Sequence, residues 1–247
     1  MRVAVVSDIH GNVRALEAIA EDMSQLAPDL VVNLGDHLSG PLWASETADF
    51  LMSHDSWIHI RGNHDRQMVE LPSERMGASD RAAAGQLTAR QWKWLAALPA
   101  TCLVADGVFA CHGTPESDSE YLIEDVSHGH AILRRPAEVR ARLAGRTGLV
   151  LCGHSHVARF LSLAGEAMVA NPGSVGLQAY DDFDHAAPHI IEGGSPHARY
   201  LVIDLKESGV HPAFRIVPYP WEEAARKARA AMRDEWARAL ETGYWRV

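Results

Sequence analysis

Val3-Ala4-Val5-Val6-Ser7-Asp8-Ile9-His10-Gly11-Asn12 is the stretch on which the fold turns. An apolar run this short that stops abruptly on polar residues reads as a buried strand entering a loop. Asn12 then stands where a helix cap belongs, and Val13, Leu16, Ala20 and Met23 follow at helical spacing. The same grammar returns at residues 30–34 before Gly35-Asp36, at 57–60 before Gly62-Asn63, and at 149–152 before Gly153-His154. Strands alternating with helices predict a layered α/β fold, in which ligands bind outside the carboxyl ends of the strands. The four polar loops are therefore expected on one rim.

Further strand signals lie at 102–105, 108–111, 157–163, 167–170, 200–205 and 214–217, several close enough to pair as hairpins. Periodicity dissolves over 178–197, which reads as an insertion-like loop: either a lid that selects substrate or a solvated excursion. A C-terminal helix is expected over 221–242, because Trp221, Ala225, Ala228, Met232 and Trp236 share one stripe. With no repeat, low-complexity tract or linker, the 247 residues read as a single domain.

Lys and Arg total 23 against 32 Asp and Glu, a net charge of −9. That balance argues against general nucleic-acid binding, which requires a positive footprint. It still admits a small phosphorylated substrate, because bound metal reverses the field locally. No apolar run approaches the roughly 18 residues of a membrane span, and the apolar run at the start meets Asp8 too soon for a signal peptide. A cytoplasmic location is expected. Cys102, Cys111 and Cys152 show no Cys-x-x-Cys spacing, so they read as core residues rather than a disulfide framework or zinc ribbon. Nothing in the sequence fixes the oligomeric state.

The compositional oddity is 14 histidines, and their positions give it meaning. Asp8-x-His10 at a strand end would send both side chains to one side by the period of two, with Ile9 turned to the core. Gly35-Asp36 and Gly62-Asn63-His64-Asp65 each use a glycine to turn the next side chain over the sheet edge. Gly153-His154-Ser155-His156 again spaces two imidazoles at i and i+2, and His112-Gly113 follows its own strand. Taken singly, each is equally an ordinary turn, a cap or a loop histidine. Five strand ends delivering Asp, Asn or His to one rim make coincidence the weaker account.

In that order the five motifs resemble the calcineurin-like metallophosphoesterase superfamily. His112-Gly113-Thr114-Pro115 and Asn171-Pro172-Gly173-Ser174-Val175-Gly176 look like its bacterial branch of small YfcE-like phosphodiesterases. The resemblance implies a four-layer αββα sandwich of two mixed sheets and a centre of two divalent ions. Asp8, His10, Asp36 and His156 would hold one ion; Asp36, Asn63, His112 and His154 the other, with Asp36 bridging. Such a donor set suits manganese, iron, cobalt, nickel or zinc. His64 resembles the histidine that gives a proton to the leaving oxygen. The implied activity is hydrolysis of phosphodiester or phosphomonoester bonds of small molecules, nucleotides among them, by a hydroxide bridging the ions, with diesters favoured. A noncatalytic metal-binding scaffold of the same fold and a nuclease of the superfamily are the alternatives, the latter lacking an evident basic groove.

One departure stands out. Protein phosphatases of the superfamily carry a second Asp and then Arg-Gly after Gly-Asp, where this chain has His37-Leu38-Ser39-Gly40. The carboxylate that would orient His64 is therefore missing at Ser39, leaving Asp65, a backbone group or the substrate to hold it. No glycine-rich nucleotide loop is present, and Val157 stands where a serine-hydrolase elbow would need its last glycine.

Overall fold

The computed structural model describes residues 1–165 and 167–246. The first half alternates β1 (Arg2–Val6), α1 (Val13–Ser24), β2 (Leu30–Asn33), α2 (Ala44–Ser53), β3 (Ile58–His59), α3 (Asn63–Glu70), α4 (Ala78–Ala84) and α5 (Ala89–Ala96). Then come β4 (Thr101–Ala105), β5 (Val108–Cys111), β6 (Glu124–Asp125), β7 (Ile132–Leu133), α6 (Pro136–Arg142), β8 (Gly148–Leu151), β9 (Arg159–Leu163) and β10 (Ala167–Asn171). The chain continues through β11 (Ala179–Asp182), β12 (His189–Glu192), β13 (Ala198–Lys206), β14 (Gly209–Val217), α7 (Trp221–Ala230) and α8 (Asp234–Thr242).

Two five-stranded mixed sheets result, ordered β14-β13-β1-β2-β3 and β4-β5-β8-β10-β9. Each has three parallel strands, β1, β2 and β3 in one and β5, β8 and β10 in the other, with antiparallel neighbours outside them. Strand alternation decides the layering. Val3 and Val5 of β1 pack with Val108, Ala110, Leu149 and Leu151 of the facing sheet. Ala4 and Val6 turn the other way, onto Leu16 and Ile19 of α1 and Ala224, Ala228 and Leu240 of the C-terminal helices. Val139 and Leu143 close the outer face of the second sheet over Cys111, Val150 and Cys152. This is the αββα sandwich, each fully buried valine or leucine adding about 1.5–3 kcal/mol. Among the described residues no helix is long and apolar enough to cross a membrane.

Three expectations change. Residues 179–192 are not patternless, because β11 and β12 pair antiparallel from Ala179↔Glu192 to Asp182↔His189. Their mixed polar and apolar residues hide the alternation. The expected strand at 214–217 starts already at Gly209, extended past Pro212 on an edge where a missing N–H costs nothing. The single helix expected over 221–242 is two. Arg233 N donates to Ala228 O at 3.0 Å and Met232 N to Arg229 O at 2.9 Å, with Met232 at φ 58°. Those are the two bonds of a Schellman stop, usually signalled by glycine. Met232, placed on the buried stripe by its spacing, is 89% exposed.

Candidate metal centre

The rim carries the chemistry. Ser7 and Asp8 follow β1, Asp36 follows β2, Asn63 opens α3 after β3, His112 follows β5, and His154 and His156 follow β8. Asp8, His10, Asp36, His154 and His156 have φ of 57, 52, 54, 69 and 58°, the left-handed region that non-glycine residues rarely occupy. The pairs at 8/10 and 154/156 are thus not extended strand ends, as their spacing predicted, but tight loops that deliver both side chains. Glycine is required where these loops touch. A Cβ on Gly62 would collide with the Asp36 carboxylate, and one on Gly153 with Ser7 Oγ.

Ligand atoms of Asp8, His10 and His156 lie within 4.8 Å of one another, as do those of Asp36, His112 and His154. Asp36 Oδ2 sits between the groups, 3.2 Å from His112 Nε2 and 3.9 Å from His10 Nε2. Asn63 Oδ1 is 3.0 Å from His112 Nε2. The seven side chains named from the sequence are thus gathered in one place, all but His154 buried.

The donors fit metal ions. Nδ1 of His10, His112 and His156 each donates to a backbone carbonyl, of Ser39 at 2.9 Å, Leu34 at 2.8 Å and Leu177 at 2.7 Å. In the neutral ring that bond leaves the Nε2 lone pair facing inward, the arrangement of ligating histidines. Two such lone-pair nitrogens, of His10 and His156, face each other at 3.2 Å, and Asp8 Oδ1 is buried without a hydrogen-bond partner. A cation between them would satisfy all three atoms at once.

With protons as the only cations, the electrostatics point the same way. Burial pushes His10 down to about 4, helped by His156, and His154 down to about 3, helped by His112. Burial opposes charge on His112 too, but Asp36 and Asp8 outweigh it and raise it to about 10. Burial would likewise raise Asp8, yet His156 and His112 hold it at about 2. The protonated His112 stands in for positive charge between two carboxylates.

A model of the calcineurin-like phosphoesterase family matches residues 1–158. The chain belongs to that family. Solved structures agree in fold. A metallophosphoesterase from Sphaerobacter thermophilus superposes with a TM-score of 0.75 at 21% identity, over 99% of each chain. A hypothetical protein from Pyrococcus horikoshii gives 0.76 at 16% identity, over 98% of each. The YfcE phosphoesterase of E. coli is also matched, more loosely, with a TM-score of 0.43 at 19% identity over 88% of this chain and 100% of that one. No curated protein sequence matches. The family binds divalent metals, and this member supplies two His/Asp groups able to do so.

Around the two His/Asp groups three residues appear that no motif announced. Asp80, at the start of α4, is 2% exposed, and its Oδ1 accepts from His64 Nδ1 at 2.8 Å and Ser39 Oγ at 2.6 Å. Asp65, a sequence candidate for holding His64, is engaged elsewhere. It accepts from the amides of Asp36, His37 and Gly62 at 2.9, 3.1 and 2.8 Å and from His37 Nδ1 at 2.7 Å. Asp80 reads in sequence as an ordinary acid in a helix's first turn, 41 residues from Ser39. The other two are Tyr121, stacked on His154 at 4.6 Å, and Tyr180 of β11, 4.6 Å from His156. Their hydroxyls lie 2.9 Å apart.

The centre opens into a cavity of about 710 Å³, whose wall includes His64, Tyr180 and Trp236. Asp181, Asp182, Asp184 and Glu235 also line it, as do Arg75 and Arg233. The β11–β12 hairpin is therefore part of the wall of the site.

Proposed function

We propose that the chain is a hydrolase of small-molecule phosphoesters working with two divalent ions. Asp8, His10, Asp36 and His156 hold one ion and Asp36, Asn63, His112 and His154 the other. The observation that carries this is the pair of converging donor groups with Asp36 Oδ2 between them. When bound, two such ions supply a hydroxide nucleophile at neutral pH and Lewis acidity toward the phosphoryl oxygens. The chain's own part is positioning and proton transfer. Backbone carbonyls fix the tautomers of His10, His112 and His156, and Asp36 Oδ1, by accepting from His64 N at 3.0 Å, ties the ligand loop to the acid. His64 donates a proton to the leaving oxygen, a contribution of about 10²–10⁴.

Phosphodiesters are the favoured substrates. A diester carries one negative charge and a monoester up to two, and Asp181, Asp182 and Asp184 along the cavity wall favour the lower charge. The volume beyond His64 accepts a leaving group of nucleoside size. Three free thiols, two of them buried, suit a reducing cytoplasm, and manganese is the ion for the first assay.

The test is hydrolysis of bis(p-nitrophenyl) phosphate against p-nitrophenyl phosphate by manganese-loaded protein, alongside Asp36→Asn and His64→Ala. Faster diester cleavage is expected, collapsing in Asp36→Asn and falling by a smaller factor in His64→Ala, because p-nitrophenolate needs the acid least. A folded, metal-loaded wild type that cleaves neither ester nor a panel of nucleotides makes the chain a binding protein or scaffold.

A further inference from the structure

We propose that Asp80 is the positioning residue of the acid: it orients His64 from α4, a different element from the one expected, with Ser39 steadying the carboxylate. This rests on the reading of the site as a phosphoesterase centre. Ser39 stands three residues after Asp36, the proposed bridging ligand. Its hydroxyl reaches the carboxylate of Asp80, and the same oxygen, Oδ1, accepts from His64 Nδ1.

The geometry has a chemical consequence. Because Nδ1–H is given to Asp80, the ring's other nitrogen, Nε2, has no protein hydrogen-bond partner among the described residues, while the ring borders the cavity with its side chain 34% exposed. The proton available to substrate is therefore the one on Nε2. In the step itself a hydroxide oxygen bonds to phosphorus and the bond to the leaving oxygen breaks. The electron pair goes to that oxygen, which takes the Nε2 proton. The imidazole is left neutral with Nδ1–H still on Asp80, the tautomer Asp80 selects, and water returns the proton to Nε2. A purely structural Asp80 would direct its oxygen to the free amides of its own helix. It points instead to a side chain 16 residues earlier and to another 41 residues earlier.

The test uses the metal-loaded full chain and aryl methyl phosphodiesters whose leaving phenols range from p-nitrophenol to phenol. A poor leaving group depends on the acid more than a good one does. Asp80→Asn is expected to lower kcat about 10-fold for p-nitrophenol and 10²–10³-fold for phenol, with metal content unchanged. Ser39→Asp added to Asp80→Asn, or to Asp80→Ala, is expected to restore much of the loss for phenol, because it returns the carboxylate from the other side. A readout apart from activity is the ¹⁵N spectrum of His64, where Nδ1 carries a proton in wild type and loses its preference in Asp80→Asn. An equal loss across the phenols, no loss, or no rescue overturns the role of Asp80 while leaving the hydrolase intact. A wild type that cleaves none of the series removes the hydrolase reading and this inference together.

Discussion

Metal uptake at this site should expel a proton, and the structure says from where. His112 is held protonated up to about 10: burial resists the charge, but Asp36, with Oδ2 at 3.2 Å, and Asp8 overcome it. Its Nδ1 already donates to Leu34 O, so a metal can be ligated only at Nε2, from the neutral ring. His10 and His154, held at about 4 and 3, are already neutral at pH 7. At pH 7 only about one chain in 10³ presents a neutral His112, so apparent affinity is lowered by about that factor. It should rise about tenfold per pH unit, or about a hundredfold between pH 6.5 and 8.5.

Stability runs the opposite way. A histidine whose folded value is raised above 6.5 contributes stability fully below 6.5 and loses it as pH rises toward 10. The metal-free protein should therefore lose on the order of 4 kcal/mol across that window, and the rise in Tm on adding manganese should grow with pH. Calorimetric titration in buffers of different ionisation enthalpy counts the proton directly. His64→Ala serves as a control, because His64 is the other imidazole held charged, at about 9: burial opposes this, and Asp36 and Asp80 outweigh it. Heats independent of buffer, with an affinity flat in pH, would refute the account of His112 as the site's stand-in cation.

Other expectations are as direct. Met232→Gly should raise stability by about 1 kcal/mol, or about 2–4 °C in Tm, because Met232 is exposed and left-handed where glycine is unstrained; an unchanged or lower Tm counts against the Schellman reading. Tyr180→Ala should weaken metal binding about tenfold, measured by competition with a chelator, because the ring packs on His156 and its hydroxyl donates to His154 O at 3.3 Å. A hairpin acting only as a removable lid would leave metal affinity untouched. On the acid side, desolvation holds His10, His59 and His154 neutral in the fold, so the unfolded chain gains protons first as pH falls below 6.5. Acid unfolding of the metal-free protein should begin near that pH; an onset only near pH 4 would mean that these rings charge freely in the fold.

How much of this was legible depended on how locally each feature is encoded. The strands are short apolar runs and the ligand loops begin where each run stops, so β1, β2 and β8 and the side chains after them could be read directly. Three features could not. The break at Met232 is made by backbone bonds with no glycine to announce it, and the apolar stripe runs straight through the stop. β11 and β12 pair through residues whose faces are half wet, so no period survives. Asp80 is invisible because its meaning lies wholly in tertiary proximity, a helix's first-turn acid brought against a loop serine and a histidine from two other segments. Asp65 misled for the converse reason. It is next to His64 in sequence, but one turn of helix points it at the Asp36 loop.

Five ligand residues held left-handed, at about 1–3 kcal/mol each, is a large local strain, and it must be offset where it occurs. The loops do this by bonding to one another. Asp8 N donates to Gly35 O, His10 N to Asp36 O and Gly11 N to His37 O, each at 3.0 Å, and Val175 N and Gly176 N reach back to Ser7 O and Asp8 O at 3.0 and 3.1 Å. Ser174 Oγ adds a bond to Asp8 O at 2.8 Å, and His154 N donates to Asp8 Oδ2 at 3.2 Å. Apart from the last, these are main-chain acceptors that no ion uses, so the strained geometry stands before any metal arrives. The ligands are preorganised by the sandwich, and binding energy is left to act on the ions and the phosphoryl group instead of on folding the loops.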